Sequence, residues 1–157
     1  MGQVLGDGDK APDFQLPGAD GKPIRLQDFA ERKLVLYFYP KDDTSGCTKQ
    51  AIDFNALRTE FAKAGADILG VSPDSEASHV KFRKKYDLAL PLASDETKDT
   101  LNAYGVWTQK SMYGRKYMGI ERSTFLIDRN GILCGVWRKV KVPGHVEAVL
   151  EAAKALK

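Results

Sequence analysis

Two spacings of hydrophobic residues divide this 157-residue chain into strands and helices. Residues 34–39 are continuously apolar and rich in branched and aromatic side chains, which predicts a central strand covered on both faces. Residues 66–71 predict a second strand, parallel to the first. Between them, apolar residues recur at the period of a helix that ends at Gly65. This apolar stripe consists of Ala51, Phe54, Leu57 (or Ala56) and Phe61.

The middle of the chain continues this alternation. A helix is predicted after residues 72–76, which have the composition of a helix cap and first turn. The apolar residues of this helix are Val80, Phe82 and Tyr86. A short extended piece follows at residues 90–92, and another helix is predicted from residue 95 to about residue 105.

The last third of the chain predicts a hairpin and a terminal helix. Residues 130–131 are Asn-Gly, the strongest short hairpin signal, and they join predicted strands at 123–127 and 132–140. An amphipathic helix is predicted over residues 144–156. Its inward-facing residues are Val146, Val149, Leu150 and Ala153.

The N-terminal region predicts an additional hairpin or extended lead-in. Residues 11–30 contain two short apolar runs around the turn signal Asp20-Gly21. Taken together, the elements predict an α/β protein with a mixed central sheet flanked by helices, which is the thioredoxin-like arrangement. No repeat or linker divides the chain, so we expect a single domain over residues 1–157.

Charge and hydropathy exclude several classes of partner. The chain has 24 basic and 21 acidic residues with interleaved signs, which gives a net charge of only +3 and no patch suited to nucleic acid or an anionic membrane. No run of 18 apolar residues is present, and residues 1–7 lack the basic and apolar regions of a secretory signal. We therefore expect a soluble, cytoplasmic protein that acts on small molecules.

The few cysteine and histidine residues argue against metal or disulfide stabilisation. Cys47 and Cys134 are far apart in sequence, unlike a secreted disulfide framework. Two histidines cannot supply the usual zinc-ligand spacing. We expect neither a metal nor another cofactor.

Cys47 is the residue with the clearest chemical signal. It follows the predicted central strand, and we expect it at the start of the next helix, outside that helix's apolar stripe. Unpaired amides and the helix dipole at this position favour a thiolate over a thiol. A helix end supplies only ~0.3–1 kcal/mol, so a strongly reactive thiolate needs a second cation.

A Pro-x-x-x-Thr-x-x-Cys motif is formed by Pro40, Thr44 and Cys47. Its proline belongs to the segment Tyr-Phe-Tyr-Pro-Lys-Asp at residues 37–42. Further along, Arg122 lies in the run Glu-Arg-Ser-Thr-Phe-Leu-Ile-Asp. With these motifs the chain resembles a peroxiredoxin, most closely the bacterioferritin-comigratory-protein or peroxiredoxin Q branch. The resemblance runs nearly end to end. It implies a monomeric thiol peroxidase that attacks hydroperoxides through a sulfenic acid on its cysteine.

The resemblance assigns roles to four neighbours of Cys47. Arg122 would be the second cation and would also bind the peroxide, although on its own it reads as a surface arginine. Thr44 would contact the sulfur or the peroxide, or act as a helix N-cap. Pro40 would shield the sulfur, or simply end the strand. The backbone amides of Gly46 and Cys47 would stabilise the charge that develops as the O–O bond breaks.

The recycling half of the reaction departs from the family pattern. Many relatives carry a resolving cysteine five residues after the first, where this chain has Ile52, or on the following helix, where it has residues 82–85. Cys134 is expected to be a packing residue on one strand face. We therefore predict a one-cysteine cycle, in which an external small thiol or a thioredoxin-like or glutaredoxin-like protein reduces Cys47.

Three alternatives are compatible with a reactive or buried cysteine. A dithiol oxidoreductase is excluded because Thr44 occupies the first position of the required Cys-x-x-Cys motif. A redox sensor or peroxide-activated binding module would use the same sulfenic acid without turnover. A structural domain would bury an inert thiol. Four further residues could line the peroxide entrance, a partner surface or the core: Trp107, Met112, Tyr113 and Tyr117.

Overall fold

The computed structural model describes residues 5–157, so residues 1–4 of the opening segment discussed above lie outside the described residues. In chain order the elements are β1 (Gln15–Pro17), β2 (Pro23–Arg25), β3 (Lys33–Phe38), α1 (Ser45–Ala56), α2 (Arg58–Lys63), β4 (Ala66–Ser72), α3 (Glu76–Tyr86), β5 (Leu92–Ser94), α4 (Asp99–Ala103), β6 (Trp107–Met112), β7 (Arg115–Ile120), β8 (Ser123–Ile127), β9 (Leu133–Trp137) and α5 (His145–Ala155). None of the helices in this described part could cross a membrane.

The centre of the molecule is a five-stranded mixed sheet in the order β5-β4-β3-β8-β9. Strand β3 pairs in parallel with β4 and antiparallel with β8, and all six of its residues are buried. Its uninterrupted apolar sequence follows from this position, because both faces are covered. The mixed sheet and the central place of this strand confirm the sequence prediction.

Alternate residues of β3 enter two different cores, as the two-residue period of a strand requires. Val35 and Tyr37, with Tyr39 just after the strand, face the core covered by α1, α2, α3 and α5. Leu34, Leu36 and Phe38 face the core covered by the N-terminal segment and α4. The predicted inward face of α5 is confirmed, since its four residues are buried in the first core.

Several element boundaries differ from the sequence prediction. The helix expected to run to Gly65 is divided at Leu57 into α1 and α2. The helix expected from residue 95 is shorter, because residues 95–98 form a turn with Lys98 in the left-handed region at φ 70°. The N-terminal hairpin is present as β1 and β2, which pair antiparallel.

The sequence analysis missed the hairpin of β6 and β7. These strands pair only with each other, and most of their residues are partly or fully exposed. Their turn, Tyr113-Gly114, has both residues at positive φ, 52° and 78°, the geometry of a tight hairpin turn. Tyrosine at the first of these positions is an uncommon turn residue, and the polar strands lack a buried face to reveal them.

Candidate active site

Cys47 is the third residue of α1, and it lies where β3 delivers the chain to that helix. The first helical hydrogen bond runs from Thr48 N to Thr44 O at 2.8 Å. The amides of Gly46 and Cys47 precede that bond, and within residues 5–157 neither has a hydrogen-bond acceptor. Both amides are therefore available to negative charge on the sulfur or on a bound ligand, as predicted.

The side chain of Cys47 is more buried than the sequence suggested. It is 2% exposed and belongs to the core on the α1 side of the sheet. Cys47 precedes Ala51 by four residues, so the two share one helix face, and the expectation that Cys47 lies outside the apolar stripe is wrong. Burial alone would favour an inert thiol. A contact with the guanidinium of Arg122 distinguishes this sulfur from such a thiol.

Arg122 supplies the cation beside the sulfur. Its Nη2 donates to Cys47 Sγ at 3.2 Å, and its Nη1 donates to Gln50 Oε1 at 2.6 Å. Gln50 follows Cys47 by three residues and therefore lies on the same side of α1. The pairing of Phe38 with Ser123 explains the approach of two distant chain segments, because the end of β3 meets the start of β8. Sequence analysis did not identify Gln50.

Gly46 allows the close approach of the guanidinium. A Cβ atom on this residue would lie 3.2 Å from Arg122 Nη2, closer than most Cβ contacts allow. The site therefore favours a residue without a side chain at this position. This steric role adds to the amide role expected from the sequence.

Thr44 and Pro40 complete the motif without contacting the sulfur by a hydrogen bond. Thr44 is the N-cap residue of α1, but its hydroxyl donates to Lys41 O at 2.9 Å and makes no capping bond. Its exposed oxygen keeps its lone pairs free to accept a hydrogen bond. Pro40 is partly buried just after β3, and it lacks an N–H group.

Two further residues beside the site were not identified from the sequence. Tyr37 is fully buried, and its pKa is raised first by this burial and then by the negative charge of Cys47. His145, at the start of α5, has its Nε2 2.8 Å from Thr124 Oγ1. Burial first, and the positive charge of Arg122 second, lower the pKa of His145 to about 4. A neutral imidazole therefore stands near the guanidinium.

One group of three side chains within residues 5–157 has the composition of a metal site: Asp42, Asp74 and His79. Its atoms already have hydrogen-bond partners in the protein. Asp42 Oδ2 lies 2.7 Å from His79 Nδ1, and the amide of Asp42 donates to Asp74 Oδ2 at 2.7 Å. We assign this cluster to the hydrogen-bond network that holds the loop before α1.

Cys134 lies at the other end of the sheet from Cys47. Its thiol contacts Asp128 Oδ2 at 3.5 Å, and Asp128 follows β8, whereas Arg122 precedes that strand. Burial first and then Asp128 raise the pKa of Cys134. The register of β9 is interrupted at this point, so the simple alternation expected for Cys134 does not apply. The residue is partly exposed beside the hairpin turn.

Ile52 borders an open groove beside the start of α1. The residue is 43% exposed, and the groove of about 330 Å³ is also lined by Thr44, Thr48 and Tyr86.

The β6–β7 hairpin carries the four residues that the sequence analysis assigned to the peroxide entrance, a partner surface or the core. Trp107 packs against the core, whereas the other three are at least 44% exposed: Met112, Tyr113 and Tyr117.

Comparisons with known proteins identify the family. The AhpC/TSA family matches residues 8–135. Peroxiredoxin Bcp of Bacillus subtilis is 48% identical over 147 residues, which are 94% of each chain. Peroxiredoxin Bcp of Xanthomonas campestris is 51% identical over 143 residues, 91% of this chain and 89% of the relative.

Solved structures show the same fold. Peroxiredoxin Q of Xanthomonas campestris superposes with a TM-score of 0.87 at 51% identity over 90% of each chain. A mutant of PrxQ from Xylella fastidiosa superposes with a TM-score of 0.92 at 39% identity over 98% of each chain. The thioredoxin-like fold expected from the sequence is confirmed. The chain therefore belongs to the AhpC/TSA family and is a peroxiredoxin, a thiol-dependent peroxidase.

Proposed function

We propose that Cys47 reduces hydrogen peroxide and organic hydroperoxides in a one-cysteine cycle. The thiolate attacks the terminal oxygen, the O–O bond breaks, and the hydroxyl group transferred to sulfur leaves Cys47 as a sulfenic acid. The departing alkoxide or hydroxide takes a proton from water. A related protein supports the organic substrates, since the structures of Xanthomonas campestris bacterioferritin comigratory protein concern its alkyl peroxide reduction activity.

The observation that carries this proposal is the 3.2 Å contact from Arg122 Nη2 to Cys47 Sγ. A guanidinium keeps its charge at any physiological pH, so it stabilises the thiolate and can donate to a peroxide oxygen in the same plane. The free amides of Gly46 and Cys47 would stabilise the charge on the breaking O–O bond. Thr44 would accept a hydrogen bond from the peroxide hydroxyl, and Pro40 would shield the sulfur.

The position of Cys134 supports a one-cysteine cycle. Arg122 and Asp128 are six residues apart along an extended strand, which corresponds to about 20 Å. Arg122 contacts Cys47 and Asp128 contacts Cys134, so the two sulfurs are separated by roughly that distance. A disulfide needs Cα atoms within about 7 Å. The exposed Ile52 offers no thiol at the position that relatives use.

The sulfenic acid would then be reduced from outside. One external thiol displaces water to form a mixed disulfide with Cys47, and a second thiol releases the cysteine. The reductant would be a small thiol or a thioredoxin-like or glutaredoxin-like protein, in a reducing compartment such as the cytoplasm. The monomeric state expected from the sequence stays a prediction.

Turnover of three proteins tests the proposal. Wild type, Cys47→Ser and Cys134→Ser are supplied with peroxide and either dithiothreitol or a thioredoxin system. Loss of turnover in Cys47→Ser alone is the expected result. Equal loss in both variants would establish an intramolecular resolving cysteine. A single stoichiometric oxidation of wild type, without turnover, would favour the redox sensor.

A further inference from the structure

The loop between β3 and α1, residues 39–44, is fastened to α3 by a buried polar pair. Asp42 in this loop is 7% exposed, and His79 in α3 is fully buried. Asp42 Oδ2 lies 2.7 Å from His79 Nδ1, and Ala93 O lies 3.0 Å from His79 Nε2. Both nitrogens of one imidazole therefore face oxygen acceptors, and no part of the peroxide chemistry described above accounts for this arrangement.

The groups around the imidazole assign a role to each of its nitrogens. A carbonyl oxygen has no proton to give, so Nε2 must carry one to bond Ala93 O. Tyr39 donates to Asp42 Oδ1 at 2.6 Å, and Ser78 donates to Asp42 Oδ2 at 2.8 Å. Asp42 accepts from both hydroxyls, and a carboxylate has further lone pairs with which it can accept from His79 Nδ1. In this arrangement His79 donates to the loop through Nδ1 and to Ala93 O through Nε2.

We propose that His79 is a positioning residue that holds the loop of residues 39–44, and with it Thr44 and the start of α1, in the reactive arrangement. This inference rests on the proposed function of Cys47. Asp42 is two residues before Thr44, the N-cap of α1. The residue between them, Asp43, has a φ of 60°, a left-handed conformation that costs energy for a residue other than glycine.

The loop is also attached through the amide of Asp42, which donates to Asp74 Oδ2 at 2.7 Å, and through Asp43. Asp43 accepts from Lys85 Nζ at 2.7 Å and from Tyr86 Oη at 2.5 Å. Both of those residues are also in α3, but their contacts are exposed to solvent and contribute little to stability. The contact of Asp42 with His79 is buried, so removing one of its partners costs more than breaking an exposed pair. Loss of the His79 donor should therefore loosen the loop.

Two substitutions at one position separate positioning from general stability. In His79→Asn the side-chain amide nitrogen takes the place of Nδ1, so the bond to Asp42 is kept and the bond to Ala93 is lost. In His79→Gln the amide nitrogen takes the place of Nε2, so the bond to Ala93 is kept and the bond to Asp42 is lost. Each variant loses one of the two buried hydrogen bonds of the imidazole.

Stopped-flow oxidation of Cys47 by hydrogen peroxide gives the first readout. We expect His79→Gln to react at least ~10-fold more slowly than wild type and His79→Asn to stay within about threefold of it. Urea unfolding checks that both variants lose similar stability. Equal rates in the two variants, whether both unchanged or both reduced, would overturn the positioning role.

Hydrogen exchange of the peptide that contains residues 39–44 gives a readout that needs no peroxidase activity. Faster exchange in His79→Gln than in His79→Asn is the expected result, and equal exchange would contradict the inference. Ser78→Ala removes a donor that lies near the surface, and it provides a milder test if His79→Gln does not fold. It should raise exchange in the same peptide, and no change there would count against the proposal. Absence of turnover in wild type would instead reject the proposed function.

Discussion

Gly46→Ala should make the protein less reactive and leave its stability nearly unchanged. An added Cβ would lie 3.2 Å from Arg122 Nη2 and 3.9 Å from its Cζ. The guanidinium must therefore move by a few tenths of an ångström, away from a sulfur that it now contacts at 3.2 Å. The helix itself gains, because alanine has a higher helix propensity than glycine by up to ~1 kcal/mol.

The size of the kinetic effect follows from the bond that is disturbed. A hydrogen bond to a charged group contributes ~1.5–3 kcal/mol, and losing about half of it removes ~1 kcal/mol. The reaction of Cys47 with peroxide should slow about fivefold, since ~1.4 kcal/mol corresponds to tenfold. The free energy of unfolding should change by no more than ~0.5 kcal/mol, because the helix gain of ~0.5–1 kcal/mol offsets the ~1 kcal/mol lost from the contact with the sulfur.

Two measurements check this prediction: stopped-flow oxidation of the reduced protein and urea unfolding of the same sample. Ser45→Ala is the matched control, because Ser45 is the exposed neighbour in the first turn of α1. It should gain up to ~0.5 kcal/mol in stability, because the contact with the sulfur is kept, and it should react at the wild-type rate. A Gly46→Ala protein that is more stable and reacts at the wild-type rate would refute the steric argument.

Three other predictions concern the surroundings of the sulfur. Arg122→Lys should lower kcat/KM for peroxide by about 100-fold in steady-state assays, because one ammonium cannot hold both Cys47 and Gln50 as the forked guanidinium does; a loss under threefold would contradict this. Gln50→Leu should cost only about 3–10-fold in the same assay, since it leaves the charge in place; a loss equal to that of Arg122→Lys would show that Gln50 has a larger role. His145, whose pKa of about 4 is below the ordinary 6.5, should weaken the fold in acid. Because the unfolded chain takes up a proton below about pH 6.5 and the folded chain does not until about pH 4, stability present at neutral pH is lost on acidification, by about 1–2 kcal/mol after solvent screening. Urea unfolding at neutral and acidic pH should show a smaller loss for His145→Gln, and an identical loss would refute the assignment.

The candidate site was partly visible in the sequence. Cys47, Thr44 and Pro40 are neighbours along the chain, so a motif can report them, and the place of Cys47 after an apolar strand already indicated a helix start. The sequence gives no such signal for Gln50, Tyr37 and His145. These residue types occur in many environments, so their role near the sulfur is evident only once their contacts are known. The burial of Cys47 differs from the prediction, because its four-residue spacing to Ala51 places both residues on the buried face of α1.

The sequence by itself determined the order of the main strands and helices, because hydrophobic periodicity is a local property that each segment carries alone. It also indicated a reactive cysteine at the start of a helix, because that position too can be read from neighbouring residues. The tertiary structure decided which distant groups reach that cysteine. Antiparallel pairing of β3 with β8 brings Arg122 to the sulfur, and packing of α3 beside the loop brings His79 to Asp42. Contacts between residues 75 and 37 positions apart depend on sheet order and register, which the spacing of residues along one segment does not contain.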